Sequence, residues 1–333
     1  ASDNTALGSQ ALSANTTGTG NVAVGSLSLD ANTTSSDNTS VGYAALSANT
    51  APNNTAVGSN ALGGNTTGIY NTAVGRVALY TNTTGSNLTA MGFDALRSNT
   101  TGDDNTAFGF QALRTNTTGV GNVGVGASAL KSNTTGAQST AIGYETLTAN
   151  TTTGESTAVG YRALKVATGA RNNAIGTYAS SQLTTGQYNE SMGYGALYTL
   201  TTGSSNVAIG YKSIHTATTA SNNTGLGYYA LNANTTGSEN TAVGKEAMYA
   251  NTTGVNNTSV GVTSLYATTT GGNNTAVGQS SLKANTTGGN NTAVGRIALF
   301  ACTTGGYNTA VGNDCLKTLT TNSYCTAVGD YAL

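Results

Sequence analysis

Residues 71–87 read NTAVGRVALYTNTTGSN, and close variants of this 17-residue unit follow one another along all 333 residues. With residue 71 as position 1, the glycine that ends each NTAVG block is position 5. Seventeen of the nineteen steps between successive position 5 glycines are 17 residues long. A short fixed period predicts a repeat array, where the length alone would suggest two domains. We predict a single continuous array of about twenty units over residues 1–333.

The composition of the unit favours strands over helices and over disorder. Glycine, threonine and asparagine are weak helix formers, and a disordered tract has no reason to keep its apolar positions from unit to unit. Stacking one unit per coil places identical residues beside each other and pairs each strand with its neighbours. The predicted fold class is all-β, a parallel β-solenoid (β-roll) of about twenty 17-residue coils. At an inter-strand spacing of about 4.8 Å, twenty coils would span about 95 Å.

Two apolar positions of the unit are the candidates for the core. Position 4 is apolar in every unit, and position 9 is Leu, Ile or Met in every unit but one. Position 2 is usually Thr but is Val in three units, so strand alternation predicts that positions 2 and 4 face inward. Positions 1, 3 and 5 would then face the other way. The predicted core includes Val57, Leu62, Val74, Leu79, Val294 and Leu299.

Position 12 is usually Asn, yet Leu replaces it in three units, which indicates an inward-facing position. Stacked Asn side chains would satisfy backbone groups that a sharp corner leaves unpaired. The predicted Asn ladder includes Asn65, Asn82, Asn99, Asn116 and Asn133, and position 1 is a candidate for a second ladder. The many Asn-x-Thr/Ser sequons leave a glycosylated stalk open as an alternative. Two units lose one residue after position 12, which predicts a turn that tolerates deletion.

Stability arguments favour self-association. Burial of two large apolar side chains offsets only part of the conformational entropy that is lost when a whole coil becomes ordered. The small residues at positions 3 and 8 offer a surface for close approach, so we predict a parallel homotrimer. The chain begins late in one unit and stops at position 9 of another. We therefore expect either flanking domains or subunits that join end to end into a polymer.

The NTAVG blocks at residues 71–75 and 291–295, with the x-x-Ala-Leu and Asn-Thr-Thr-Gly that follow, carry a family resemblance. They resemble repeats of tail-fibre-like bacteriophage proteins and of large surface proteins of marine bacteria. More distantly, they are similar to the Ser/Asn-x-Ala-Ile/Val-Gly repeats in the heads of trimeric autotransporter adhesins. The resemblance covers the whole chain, although the 17-residue period departs from the adhesin heads. It implies a trimeric β-structured fibre that presents a binding surface.

The resemblance also implies an extracellular location, either on a virion tail fibre or on a cell surface. Some tail-fibre relatives carry a C-terminal chaperone that cuts itself off. Neither such a segment nor a membrane anchor is expected in these residues. Viral and cellular origins therefore both stay open.

Charge and residue usage argue against several classes of function. Only 8% of residues are charged and the net charge is −1, so we expect no nucleic-acid partner. No apolar run approaches the roughly 20 residues of a membrane span, so we expect no membrane insertion. His215, the only histidine, lies at position 10, which is predicted to be exposed, and is expected to be a surface substitution.

Cys302, Cys315 and Cys325 occupy three different positions of successive units. They therefore predict small buried substitutes and no zinc site, with an interchain disulfide as the alternative. Together with the single histidine, they predict a protein that is not an enzyme and that needs no cofactor or metal.

Aromatic residues are the one surface feature of the sequence that is a candidate for ligand binding. Position 6 supplies the candidate binding residues Tyr43, Tyr144, Tyr161, Tyr194, Tyr211 and Tyr228. The first interpretation is that these rings pack against neighbouring chains or cover strand edges. The second is that they form a ladder for the sugar faces of cell-surface glycans.

The leading functional hypothesis is a structural and adhesive extracellular fibre, a stiff rod with multivalent surface display. The alternatives are an ice-binding or other lattice-binding solenoid and a subunit of an end-to-end extracellular filament. Threonine at positions 2, 13 and 14 supports an ice-binding surface. The predicted inward direction of position 2, and a corner that tolerates deletions, weigh against it.

Overall fold

The computed structural model describes residues 2–333 and is all-β, with twenty short parallel strands in a β-solenoid in which each repeat unit forms one coil. No helix occurs within those residues. The contacts divide the chain into two compact halves, Ala1–Thr168 and Gly169–Leu333, each with ten strands. At about 4.8 Å per strand, ten coils span about 48 Å.

Each strand covers positions 2 to 4 of its repeat. The first half contains β1 (Thr5–Leu7), β2 (Val22–Val24), β3 (Thr39–Val41), β4 (Thr55–Val57), β5 (Thr72–Val74), β6 (Thr89–Met91), β7 (Thr106–Phe108), β8 (Val123–Val125), β9 (Thr140–Ile142) and β10 (Thr157–Val159). The second contains β11 (Asn173–Ile175), β12 (Glu190–Met192), β13 (Val207–Ile209), β14 (Thr224–Leu226), β15 (Thr241–Val243), β16 (Thr258–Val260), β17 (Thr275–Val277), β18 (Thr292–Val294), β19 (Thr309–Val311) and β20 (Thr326–Val328).

Within each half, consecutive strands pair in parallel and in register, so position 3 of one coil lies beside position 3 of the next. The shortened segment at residues 49–53 leaves this register intact, because Thr39 of β3 still pairs with Thr55 of β4. Backbone bonds continue around the corners. The Leu79 amide, for example, donates to the Ala95 carbonyl of the next coil at 3.0 Å. The deletion therefore falls where an omitted residue changes no strand pairing.

The strands face the opposite way from the prediction. Ala73, at position 3, is fully buried, whereas Val57 is 37% and Val294 36% exposed, and Val74 is only half-buried. The assignment of Val57, Val74 and Val294 to the core was therefore wrong. The interior of a coil is narrow and is filled by the small side chains of positions 3 and 8, together with the position 9 leucine. Valine at position 4 instead stands on the outer sheet face, where β-branched side chains also fit well.

Position 9 supplies the large core side chains. Leu62, Leu79 and Leu299 are fully buried. Each adopts a left-handed backbone conformation, with φ of 52°, 51° and 50° respectively. This conformation is uncommon for leucine and turns the chain sharply, so that the Asn82 amide donates back to the Leu79 carbonyl at 3.2 Å. Burial of the leucine offsets the local backbone cost.

Burial of positions 3 and 8 also corrects the expected association surface. Ala73, Ala78, Ala90 and Ala95 are fully buried inside their own coils. They contact the same chain and cannot serve for the close approach of another. Any contact between chains must use other positions.

Asparagines form two ladders in the interior, each interrupted in some coils by another residue. At position 12, the Nδ2 groups of five successive asparagines each donate to the Oδ1 of the preceding coil. The bonds are Asn65 to Asn49 at 2.7 Å, Asn82 to Asn65 at 2.8 Å, Asn99 to Asn82 at 2.9 Å, Asn116 to Asn99 at 2.8 Å and Asn133 to Asn116 at 2.7 Å. The five donor amides are buried, so their sequons are covered in the folded chain.

The position 1 asparagines form the second ladder, and both ladders converge on the backbone carbonyl at position 15. The Gly85 carbonyl accepts Nδ2 bonds from Asn71 and Asn82, both at 2.9 Å. Two donors to one buried oxygen explain why either ladder tolerates interruption. Every unit from residue 4 to residue 324 keeps Asn at position 1 or 12, except residues 156–171, which is one of the two short units.

Candidate functional site

Position 6 carries exposed aromatic rings in several coils of each half of the chain. In the second half, Tyr194, Tyr211 and Tyr228 stack with ring centroids 5.5 Å apart at each step and with nearly parallel planes. We call these three residues the tyrosine stack; they are 47%, 40% and 47% exposed. The in-register coils place identical positions beside each other, so stacking follows directly from the repeat.

The first half carries shorter versions of the same row. Tyr144 and Tyr161 stack at 5.5 Å, and Phe93 and Phe110 at 5.7 Å. Tyr43 is exposed, with serine at position 6 of the coils on either side. All six candidate tyrosines are therefore on the surface, but the structure brings only some of them together.

Further rings from positions 7 and 10 widen the aromatic surface beside the tyrosine stack. Tyr229 lies edge-on to Tyr211 at 5.4 Å and to Tyr228 at 4.4 Å. Burial, followed by the charges of these two neighbouring phenols, raises the pKa of Tyr229 above its ordinary value. Tyr249 and Tyr266 continue the row at position 10, with centroids 5.3 Å apart. The surface is therefore a broad patch several coils long.

A cavity of about 310 Å³ opens beside the first ring of the tyrosine stack. It exists because Gly195 occupies position 7, where the coils on either side carry larger side chains. Its lining consists of Tyr178, Tyr194, Gly195, Tyr198, Lys212 and His215. No aspartate or glutamate is among these lining residues, so its charge is positive.

His215 is half-buried in this cavity, whereas position 10 was expected to be exposed. Its ring stacks on Tyr198 at 5.3 Å, and Nδ1 lies 2.7 Å from the Gly195 carbonyl oxygen. A carbonyl oxygen only accepts, so Nδ1 carries the proton and Nε2 remains available to a ligand. The residue is part of an aromatic wall.

Elsewhere on the surface, charged side chains at positions 7 and 10 form ion pairs. Glu145 accepts from Arg162 at 2.9 Å and from Lys165 at 2.8 Å, and the Lys165 bond is the main reason that the pKa of Glu145 is lowered. Lys317 lies 2.8 Å from Asp314 and lowers the pKa of that carboxyl. These carboxylates stay ionised and neutralise the adjacent cations.

The outer sheet face is a second repetitive surface. It carries Thr at position 2 in fifteen of twenty units and an apolar residue at position 4 in all of them. Glu190 is exposed at position 2 and accepts from Asn173 Nδ2 at 2.8 Å. A charge is tolerated there because position 2 faces outward. We call the position 2 and 4 side chains together the Thr/Val face.

All three cysteines are free thiols; Cys302 and Cys315 are buried and Cys325 is half-buried. Cys302 replaces Asn in the position 12 ladder and lies 3.6 Å from the Gly305 carbonyl as a weak donor. Burial raises its pKa, so the thiol stays protonated and of low reactivity. Among residues 2–333, no group of three or more His, Cys, Asp or Glu side chains is placed to hold a metal ion.

Sequence reasoning identified the tyrosine stack but missed the cavity. The signal was the run Tyr178, Gly195, Lys212 and Tyr229 at position 7 of successive units, where a glycine interrupts larger residues. The described residues include no helix long and apolar enough to cross a membrane. Comparison of the sequence with protein-family models and with curated proteins finds no match.

Proposed function

We propose that this chain is a structural and adhesive extracellular fibre protein, of the tail-fibre or surface-adhesin type, that binds cell-surface glycans through its aromatic surface. The observation that carries the proposal is the tyrosine stack, in which three exposed rings are held 5.5 Å apart by the solenoid itself. Aromatic faces suit the apolar faces of sugar rings, and stacking orders them before a ligand arrives.

Repetition of the surface supports a display role. Stacked aromatic pairs recur in the first half of the chain at Phe93 and Phe110 and at Tyr144 and Tyr161. Several weak sites on one stiff support bind a multivalent surface far more tightly than any one site does alone. The lack of carboxylates in the cavity beside the stack adds a preference for neutral or acidic sugars over basic ones.

A triple substitution of Tyr194, Tyr211 and Tyr228 by Ser tests the glycan-binding role. We expect binding of the intact chain to a glycan array to fall at least tenfold, since each ring contact contributes about 0.5 to 1.5 kcal/mol. The thermal unfolding temperature should change little because the rings are exposed.

The matched control is the double substitution Tyr307→Ser with Tyr324→Ser, which removes a stacked pair at 5.1 Å on another edge of the same half of the chain. Glycan binding should be retained in this control. Equal losses in both variants would count against a specific role for the tyrosine stack. Loss of self-association in the triple variant would favour packing between chains.

We further propose that the chain self-associates as a homotrimer through the Thr/Val face. Apolar side chains such as Val260, Val277 and Val294 are about one-third exposed in a continuous row. Contiguous apolar surfaces of this kind usually mark interaction sites. Association would remove the row from water and leave the aromatic surface free.

Ice binding is the second candidate function, and the outward direction of position 2 favours it. The strands β16 to β19 present Thr258, Thr275, Thr292 and Thr309 in register, each two residues before an outward Val. A regular Thr/Val array on parallel strands could order water. The expectation that position 2 faces inward, which weighed against this function, no longer holds.

Thermal hysteresis separates the two candidates for the Thr/Val face. On the leading proposal, the wild-type chain gives no thermal hysteresis, and light scattering gives three times the chain mass. The substitution Thr275→Tyr places a bulky ring in the row and should reduce trimer formation. A hysteresis in the wild type that disappears in Thr275→Tyr would instead establish ice binding.

A further inference from the structure

Charged side chains at positions 7 and 10 of successive coils recur in a similar arrangement. Glu145 at position 7 lies between two basic residues of the next coil, Arg162 at position 7 and Lys165 at position 10, with bonds of 2.9 and 2.8 Å. Asp94, also at position 7, lies 3.3 Å from Arg114 at position 10 of the next coil. In both cases the carboxylate at position 7 is held by a basic side chain at position 10 of the following coil, and Glu145 is also held by one at position 7.

At Gly195 the same arrangement lacks its carboxylate. Lys212 and His215 stand at positions 7 and 10 of the coil after Gly195, so they occupy the places of Arg162 and Lys165. Both line the cavity of about 310 Å³, to which position 7 of the Gly195 coil contributes no side chain. The Lys212 ammonium lies 5.6 Å from the Tyr211 ring centroid and pairs with no carboxylate among the described residues. The basic groups therefore face an open space.

Aromatic rings form the remaining walls of this cavity. Tyr178 stands edge-on to Tyr194 at 6.2 Å and to Tyr198 at 5.9 Å, while His215 stacks on Tyr198. The volume lies at the lower end of the range for small-molecule pockets, which suits one ring and excludes a longer chain. The cavity thus combines flat apolar walls with a cationic end.

We propose that this cavity binds a single sugar ring that carries a carboxylate, such as a uronic acid residue of an acidic glycan. The ligand carboxylate takes the place that the Glu145 side chain occupies in its own coil, next to Lys212. The sugar ring packs against the tyrosine walls, and His215 Nε2 meets a hydroxyl group, because Nδ1 is engaged by the Gly195 carbonyl. This inference rests on the proposed glycan-binding function and adds the class of sugar.

Titration of the full chain with methyl glucuronide and with methyl glucoside tests the proposal, because the two probes differ only at C6, which is a carboxylate in the glucuronide and a hydroxymethyl group in the glucoside. We expect the glucuronide to bind with a Kd of about 1 mM, a typical weak single-site affinity, and the glucoside more weakly. Lys212→Met should weaken glucuronide binding about fivefold, as loss of a partly exposed charge pair does, without changing glucoside binding.

Gly195→Glu is the second variant, since it supplies the missing carboxylate from the chain itself. The site tolerates a side chain after a small shift of His215, because an added Cβ would lie 3.2 Å from two atoms of that ring. Its φ of 62° also matches the left-handed conformation of Glu145, whose φ is 53°. Glucuronide binding should be lost. Lys245→Met, which removes an exposed lysine outside the cavity, should leave it unchanged.

Equal affinities for the two probes, or equal glucuronide binding by the wild type and Lys212→Met, would overturn the proposal. So would displacement of the glucuronide by acetate at the same concentration, because the sugar ring would then be unnecessary. If neutral glycans bind at the tyrosine stack while the glucuronide does not bind at all, this inference fails and the proposed function stands. Binding of no sugar at either place contradicts both.

Discussion

Replacing Gly126 by Ala is expected to lower the free energy of unfolding by about 4 kcal/mol, through backbone strain and overpacking together. Gly126 is a position 5 glycine with φ of 125°, a conformation that side chains rarely adopt. An added Cβ would also lie 2.5 Å from the carbonyl oxygen of Gly143 in the next coil. That oxygen belongs to the backbone of the stacked coil, so it cannot rotate away.

Gly121→Asn is the matched control for this prediction. Gly121 lies at position 17 with φ of 66°, and an added Cβ would have only the Gln138 side chain nearby, at 3.8 Å. Asp104 and Gln138 adopt the same conformation at position 17 of the adjacent coils. We expect a change within about 0.5 kcal/mol, because Asn tolerates the left-handed region.

Urea denaturation of the two variants, with hydrogen exchange over residues 122–138, measures both effects. Coils contact mainly their neighbours, so local exchange should report the damage even where the rest of the chain stays folded. Equal stability of Gly126→Ala and Gly121→Asn would contradict the close stacking of position 5.

The second large effect is expected at Asn99, where Asn99→Ala should cost about 2 kcal/mol more than Asn82→Ala. Both substitutions remove one step of the position 12 ladder. After Asn82→Ala, the Gly85 carbonyl still accepts from Asn71 at 2.9 Å. After Asn99→Ala, the buried Gly102 carbonyl loses its side-chain donor, because position 1 of that unit is Leu88.

The double variant Asn99→Ala with Leu88→Asn provides the rescue. A position 1 asparagine would restore a donor to the Gly102 carbonyl, as Asn172 does for Gly186 at 2.9 Å in a unit whose position 12 is Leu183. Denaturation of the wild type, the two single variants and the double variant measures their free energies of unfolding. Equal costs at Asn82 and Asn99 would show that the two ladders do not share their acceptor.

Much of the fold follows from the sequence because stacked identical units strongly constrain a chain. The fixed period and the deletions after position 12 predict coils with a tolerant corner. Leu183 and Leu200 at an asparagine position indicate that this position faces inward, and the Asn65 to Asn133 ladder is present in the structure. These features depend on which residues repeat, and the sequence displays that directly.

The direction of the strand residues was not predictable in the same way. A strand alternates its two faces, so the pattern Thr-Ala-Val admits either Ala or Val inside. Hydrophobicity favours Val57 as the buried residue, but the width of the coil admits only the adjacent alanine opposite Leu62. The expected contact surface between chains was wrong for the same reason, since it was assigned to positions that fill the interior.

The candidate site was likewise predictable from the sequence only in part. The tyrosine stack was predictable, because Tyr194, Tyr211 and Tyr228 share one position of a repeat and in-register stacking brings them together. The cavity was not, because it requires a glycine at one position, side chains from three positions and contributions from three successive coils. The sequence by itself determined the coil, its period, its ladders and the row of rings. Only the tertiary structure decided which face of the strand is buried and where an absent side chain leaves room for a ligand, because both depend on the space between stacked coils.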